Sequence, residues 1–238
     1  DFTGTHFMFP LCKKNLTFSI LLFSAVIPSL SFANGIVLGG TRIIYPLKQK
    51  QVSVSVRNTS EVDRFMVQSW IDDANEKKTS DFIMTPPLFV SNPKDENSLR
   101  VMYAGPSLPT DRETLYYLTA KSIPAVDKEK MKGQNVLLLA TATRIKLFVR
   151  PDGLQPEVRK APSLITFSRR GSEISVSNPT PYFITMVQIK AGEKDIDKNL
   201  MVAPKASASF PSPSASELSF RVINDYGGMS EVIKAKIN

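Results

Sequence analysis

Asn135-Val-Leu-Leu-Leu-Ala-Thr-Ala-Thr-Arg-Ile-Lys-Leu-Phe-Val-Arg-Pro-Asp-Gly-Leu154 decides how the rest of the chain folds. It begins apolar and β-branched, turns basic at Arg144 and Lys146, and closes on Arg150-Pro151-Asp152-Gly153. Such a run reads as a strand. A strand this apolar belongs in the middle of a sheet or awaits a partner. Cations in its second half should face something negative, because burying an unpaired charge is costly.

Upstream, the period-two pattern repeats. Val52, Val54 and Val56 alternate with Ser53, Ser55 and Arg57. Phe65, Val67 and Ser69 alternate with Met66, Gln68 and Trp70, and Trp70, the single tryptophan, is expected in the core. Gly35 to Tyr45 is extended but interrupted at Gly39-Gly40, which predicts a bulge or a switch between sheets. Asp81 to Val90 is broken by Pro86-Pro87, so it must lie at an edge or change direction there. Further strands are predicted over Leu99–Tyr103 and Glu113–Ser122, and residues 125–134 form a charged loop. Asp72 to Ser80 is polar and is taken as a loop. Downstream of Pro151, shorter strands resume over 164–169, 173–177, 183–190, 206–210, 217–224 and 231–237. Asn178-Pro-Thr-Pro181 and Asn224-Asp-Tyr-Gly-Gly228 are turns, and Met201-Val-Ala-Pro204 is a spacer. Helical periodicity is scarce. The expected fold is all-β, two β-sandwich domains over residues 34–153 and 154–238.

Residues 1–33 are expected to be upstream sequence and a secretory signal. Lys13 and Lys14 precede an apolar run, and Ser31-Phe32-Ala33 offers a small-x-small cleavage site. Removing them leaves 28 basic and 21 acidic residues, a balance of +7. It also removes His6 and Cys12, the only histidine and cysteine. Histidine triads, thiol dyads, and thiolate- or histidine-bound metals are then excluded, and no cofactor is expected. No two carboxylates are spaced as a facing pair, so an enzyme is not expected. The cations are scattered without an arginine-aromatic module, so nucleic acid is not an expected partner, and no later stretch could span a membrane. Arg42, Arg144 and Lys146 lie in otherwise apolar strands. Their convergence would suit a carboxylate, which arginine grips as a fork and lysine as a point charge.

Seven segments together resemble the periplasmic chaperones of the chaperone–usher pilus pathway, the PapD-like family. They are Gly39-Gly-Thr-Arg-Ile-Ile-Tyr45, Thr85-Pro-Pro-Leu-Phe89, Asn97-Ser-Leu-Arg100, Asp111-Arg-Glu-Thr-Leu-Tyr-Tyr117, Arg144-Ile-Lys-Leu-Phe-Val-Arg-Pro151, Asn178-Pro-Thr-Pro-Tyr182 and Ile223-Asn-Asp-Tyr-Gly227. The resemblance implies two immunoglobulin-like domains set at an angle, in a boomerang. It implies periplasmic location, binding of pilin or fimbrial subunits by donor-strand complementation, and delivery to an outer-membrane usher. Arg42 and Lys146 match a pair that anchors the C-terminal carboxylate of the bound pilin. Leu137, Leu139 and Thr141 match the hydrophobic plugs of the donated strand, with Thr141 smaller than the family's usual aliphatic residue. Glu113, Arg150 and Asp225 match an interdomain ionic cluster. The absence of a cysteine pair after residue 33 favours the short-loop type. An unpaired apolar edge also leaves room for a self-capping dimer. The competing expectation is a secreted two-domain adhesin or carbohydrate-binding module using Tyr103, Tyr116 and Tyr117 as exposed aromatics.

Overall fold

A computed structural model of the chain describes residues 35–125 and 138–238. The expected signal segment, most of the charged loop, and Leu137 lie outside the described residues.

Two breaks in the sequence pattern place strands on opposite layers. On either side of Gly39-Gly40, β1 (Ile36–Leu38) and β2 (Arg42–Pro46) belong to different sheets. β1 pairs antiparallel with β3 (Val52–Asn58), and a Cβ on Gly39 would lie 3.0 Å from that of Ser55. After β4 (Phe65–Asp72) the second switch falls at Pro86-Pro87, which separates β5 (Phe82–Thr85) from β6 (Leu88–Ser91). Prolines have no N–H for a ladder, and each of these strands is the edge of its own sheet. With β7 (Glu96–Tyr103), β8 (Thr114–Pro124) and β9 (Thr141–Arg150), the first domain is a sandwich. One sheet runs β1-β3-β7-β5, the other β2-β9-β8-β4-β6.

Alternate residues meet between the layers. Val56, Val67, Leu99, Val101, Leu118 and Leu147 are fully buried there. Each contributes roughly 1.5–3 kcal/mol of transfer free energy. Tyr45 sits among them, donating its hydroxyl to the Gln49 carbonyl and accepting the Tyr103 N–H at 3.0 Å. Trp70 is on the other face of β4, half-buried, with its indole N–H donated to Asp72 at 3.0 Å, so it is not a core residue. The polar tip of an indole needs an acceptor, and the outer face supplies one. Tyr116, expected among exposed aromatics, is only 5% exposed and donates to Asp81.

The second domain has its own core around Phe167, Ile174, Met186, Phe210 and Phe220. A short 3-10 helix, Val158–Leu164, leads into a three-stranded sheet of β10 (Thr166–Arg170), β11 (Glu173–Asn178) and β15 (Ala206–Pro211). The facing sheet contains β12 (Ile184–Ala191), β13 (Lys194–Asp195), β14 (Leu200–Val202), β16 (Glu217–Val222) and β17 (Ile233–Lys236). The expected spacer at 201–204 therefore begins inside a strand, paired with β12.

The two domains reuse one turn device. Asn58 ends β3 and Asn178 ends β11, and both are buried. Each shares its amide N–H groups among three backbone carbonyls and accepts the N–H two residues on. The surrounding residues, Val54-Ser-Val-Arg-Asn-Thr-Ser60 and Ile174-Ser-Val-Ser-Asn-Pro-Thr180, follow one pattern. A buried amide is tolerated because its hydrogen bonds are all made. Among the described residues no helix is long and apolar enough to cross a membrane.

Candidate functional site

β2 runs parallel to β9, and Arg42 is the register partner of Lys146. Odd positions of β9, Ile145, Leu147 and Val149, point into the core. Alternation therefore sends Arg42 and Lys146 side by side onto the opposite face. The two like charges sit on neighbouring strands, and among the described residues no carboxylate is within ion-pair distance of either. Burial first, and then the Arg42 charge, hold the Lys146 ammonium below its ordinary value of 10.5. Burial likewise lowers the Arg42 guanidinium, against the opposing charges of Asp225 and Glu113. Arg42 lies 5.8 Å from the Phe148 ring centroid and donates through one terminal nitrogen to the Ile223 carbonyl at 3.2 Å, while its buried Nε has no partner.

The ladder partners of β9 end unevenly. β8 accompanies it from Thr141 to Val149, whereas β2 joins only from Lys146 onward. Residues 141–145 therefore have one paired and one unpaired edge among the described residues. Thr141 is exposed, opposite Ser122, and the two hydroxyls are 2.7 Å apart. Leu138 and Leu139 precede the strand without regular structure and are 42% and 67% exposed. The strand expected from residue 135 thus begins at Thr141 within the described residues.

Arg144 does not join the unpaired cations. It reaches across β8 to Asp72 at 3.0 Å and to Glu76 at 2.7 Å, and it stacks 5.6 Å from the Tyr117 ring centroid. Asp72, expected in a loop, ends β4 and is 3% exposed. Its carboxylate also accepts from Thr119 and Trp70. A buried carboxylate with this many donors is satisfied as an anion, and it neutralises Arg144. Nothing in the local sequence links the two residues.

Glu113, Arg150 and Asp225 meet at the junction between the domains. Arg150 donates Nε to Glu113 at 2.7 Å and both terminal nitrogens to Asp225 at 2.7 Å. Burial would lower the Arg150 guanidinium, but the Asp225 hydrogen bond and the Glu113 charge raise it. The second Glu113 oxygen accepts the Phe183 N–H at 2.8 Å, and the Glu113 N–H donates to Pro181. Phe148 and Phe183 stack across the same junction with ring centroids 5.4 Å apart. Lys205 pairs with Asp111 at 2.6 Å. The hairpin tip at Gly227, φ +84°, packs so closely on Thr41 that a Cβ would collide with the threonine hydroxyl. Phe183, Lys205 and Gly227 are contacts that sequence reasoning missed. Only the glycine-rich turn carried a signal, and it did not indicate which residue it would meet.

Comparison with known proteins locates this geometry. A family model described as Pili and flagellar-assembly chaperone, PapD N-terminal domain, matches residues 35–155, and Pili assembly chaperone PapD, C-terminal domain, matches 160–234. The chain is 43% identical over 230 residues to the probable fimbrial chaperone SfmC of Escherichia coli K12, covering 96% of this chain and all of the relative. It is 39% identical over 214 residues to the chaperone protein FimC of Escherichia coli O6:H1, covering 89% and 88%. The crystal structure of the periplasmic chaperone SfaE superposes with a TM-score of 0.75 at 38% identity, covering 86% of this chain and 100% of that one. The Salmonella enterica SafA pilin in complex with the SafB chaperone gives a TM-score of 0.78 at 28% identity, covering 87% and 98%.

Proposed function

The chain belongs to the PapD family of pilus-assembly chaperones, and on that premise we propose that it binds fimbrial subunits in the periplasm and hands them to an outer-membrane usher. The observation that carries the mechanism is the parallel register of Arg42 with Lys146 beside the unpaired edge of β9 at 141–145. A pilin lacking a strand can pair along that edge, exchanging ladder hydrogen bonds, while its terminal carboxylate seats on the two cations. The anchor fixes register, since a one-residue slip would turn each side chain to the wrong face. Continued as a strand towards its N-terminus, β9 would place Leu137, Leu139 and Thr141 on one face, where they would enter the open groove of the pilin. Because the Thr141 hydroxyl is engaged by Ser122, only its methyl would enter, a shallow third plug.

The ionic cluster of Glu113, Arg150 and Asp225 holds the domains, 34–153 and 154–238, in the orientation that keeps the cleft open to the chain end. The process is binding and release, with no bond chemistry, so the protein acts as a chaperone and not as an enzyme. Lys146→Ala and Arg42→Ala, made separately, should each weaken co-purification with pilin about a hundredfold, the loss of charge-assisted hydrogen bonds, with the circular dichroism of the chain unchanged. Undiminished pilin binding by both variants would refute the anchor.

A further inference from the structure

Alternation protects the register of a paired strand against a slip of one residue but not of two, because residues i and i+2 share a face. On β9 the second case has a concrete form. Arg144 and Lys146 lie on the same outer face, about 6.7 Å apart along the strand. A pilin whose carboxylate seated on Arg144 would be displaced by two residues, with every side chain still on its proper face. The apolar plugs would resist this little, since the displacement brings Leu139 to the place of Thr141, a larger apolar side chain for the third pocket. Arg144 has the chemistry for it, because a single guanidinium takes a carboxylate as a fork.

The fold withdraws Arg144 from that role. In the sheet order β2-β9-β8-β4, the unpaired edge at 141–145 lies on the β2 side of β9, whereas Asp72 and Glu76 lie on the β4 side. Across the outer face, Arg144, Thr119 and Trp70 form one row, and Lys146, Tyr117 and Asp72 the next. The Arg144 guanidinium crosses from its own row to Asp72, beside the Tyr117 ring, and its other terminal nitrogen goes to Glu76. Its Nε donates to the Thr119 hydroxyl at 3.3 Å. All three nitrogens are thus engaged on the side away from the open edge. Lys146 shares a row with Asp72, but Tyr117 stands between them.

Glu76 is badly placed for a residue that serves stability alone. It has φ +60° in the turn after β4, which the Asp72–Lys78 bridge closes. A left-handed conformation is costly for a residue with a Cβ, and turns favour glycine or asparagine there. The Glu76 side chain is 63% exposed, and an exposed ion pair returns little. A strained position that holds so weakly stabilising a carboxylate points to what the carboxylate does to Arg144.

We infer that Asp72 and Glu76 set the register of subunit capture: by holding Arg144 away from the β9 edge, they leave Arg42 and Lys146 as the one seat for the chain end. Both act through Arg144 and are positioning residues. The inference rests on the anchor function proposed above.

Released from its acids, Arg144 should stand in for a missing anchor. The probe is a peptide copying the last strand of a pilin and ending in a free carboxylate, titrated by calorimetry into the purified chain, with its C-terminal amide as control. Lys146→Ala should weaken the peptide about a hundredfold, and adding Asp72→Asn with Glu76→Gln should restore about tenfold. The restored part should vanish with the amide and with a further Arg144→Gln. A merely structural role for the two acids predicts the reverse, a further loss. Glu76→Gly removes one carboxylate and relieves the strained φ. Alone, it should melt at or above the wild-type temperature, and added to Lys146→Ala it should restore a smaller part of the binding. No recovery in either combination, recovery that survives amidation or Arg144→Gln, or a lowered melting temperature for Glu76→Gly would overturn the register role and leave the anchor standing. Undiminished peptide binding by Lys146→Ala would overturn the anchor, and the register role with it.

Discussion

Replacing Arg150 by methionine keeps an apolar stem against Tyr182, whose ring centroid lies 5.2 Å from the guanidinium carbon, but removes the charge. Glu113, with a side chain only 2% exposed, then keeps one hydrogen bond, from Phe183 N–H, and no ion-pair partner among the described residues, with Arg42 acting on it only at longer range. Breaking one side of a buried pair costs about 3–5 kcal/mol in general. Here there is a ceiling, because the carboxyl can protonate. From its ordinary value of 4.5, neutralising it near pH 7 costs about 3.4 kcal/mol. The loss should therefore be about 3 kcal/mol, a fall in melting temperature of about 6–12 °C for a chain of this size. Asp225, more exposed, adds little, and salt screens it. The pH dependence follows in sign. Burial already raises the Glu113 carboxyl, and Arg150 opposes that rise. Without Arg150 it rises further. A raised carboxyl stabilises the folded state below its unfolded value and loses that contribution as pH climbs through the folded value. The deficit of Arg150→Met should thus be small up to the wild type's own raised Glu113 value, grow by about 1.4 kcal/mol per pH unit above it, and level off once the variant's folded value is passed. Urea unfolding followed by circular dichroism, near pH 5 and pH 7.5, measures this. Adding Glu113→Gln to Arg150→Met should recover most of the loss at the higher pH. An equal deficit at both pH values, or no recovery by glutamine, would refute the buried-charge account.

Other outcomes follow from the same geometry. Because the free Lys146 ammonium is lowered and a bound carboxylate would raise it, affinity for a free C-terminal carboxylate should be full below the free value and fall as pH rises through it; binding should take up protons, and Lys146→Arg should flatten the profile in calorimetry across two buffers. Asp72→Ala removes the acceptor shared by Trp70, Thr119 and Arg144, so it should cost about 2 kcal/mol by urea unfolding and speed hydrogen exchange at 141–145, with Asp72→Asn intermediate. Gly227→Ala combines a left-handed φ, worth about 1–2 kcal/mol, with a collision against Thr41; Thr41→Ala should relieve only the second part, so a double variant no more stable than Gly227→Ala alone would remove the collision from the account.

The two sheet switches were legible because Gly39-Gly40 and Pro86-Pro87 act locally: one lacks a Cβ, the other lacks ladder donors. Trp70 was misplaced because hydrophobicity alone does not say on which face an indole finds its acceptor. Arg144 and Lys146, two residues apart on one strand, looked alike. Their difference lies in Asp72 and Glu76, far away in the chain. The matching Asn58 and Asn178 turns went unread as a repeat because they differ at every polar neighbour except serine and asparagine.

By itself, then, the sequence determined the period-two strands, the two-sandwich class and the apolar-then-basic character of 135–154, since alternation and turn chemistry are properties of neighbouring residues. Only the tertiary structure decided that Arg42 lies beside Lys146, that Arg144 is already neutralised, and that 141–145 keeps an unpaired edge. Pairing register and charge compensation are set between residues distant in sequence, and a one-dimensional pattern does not carry that information.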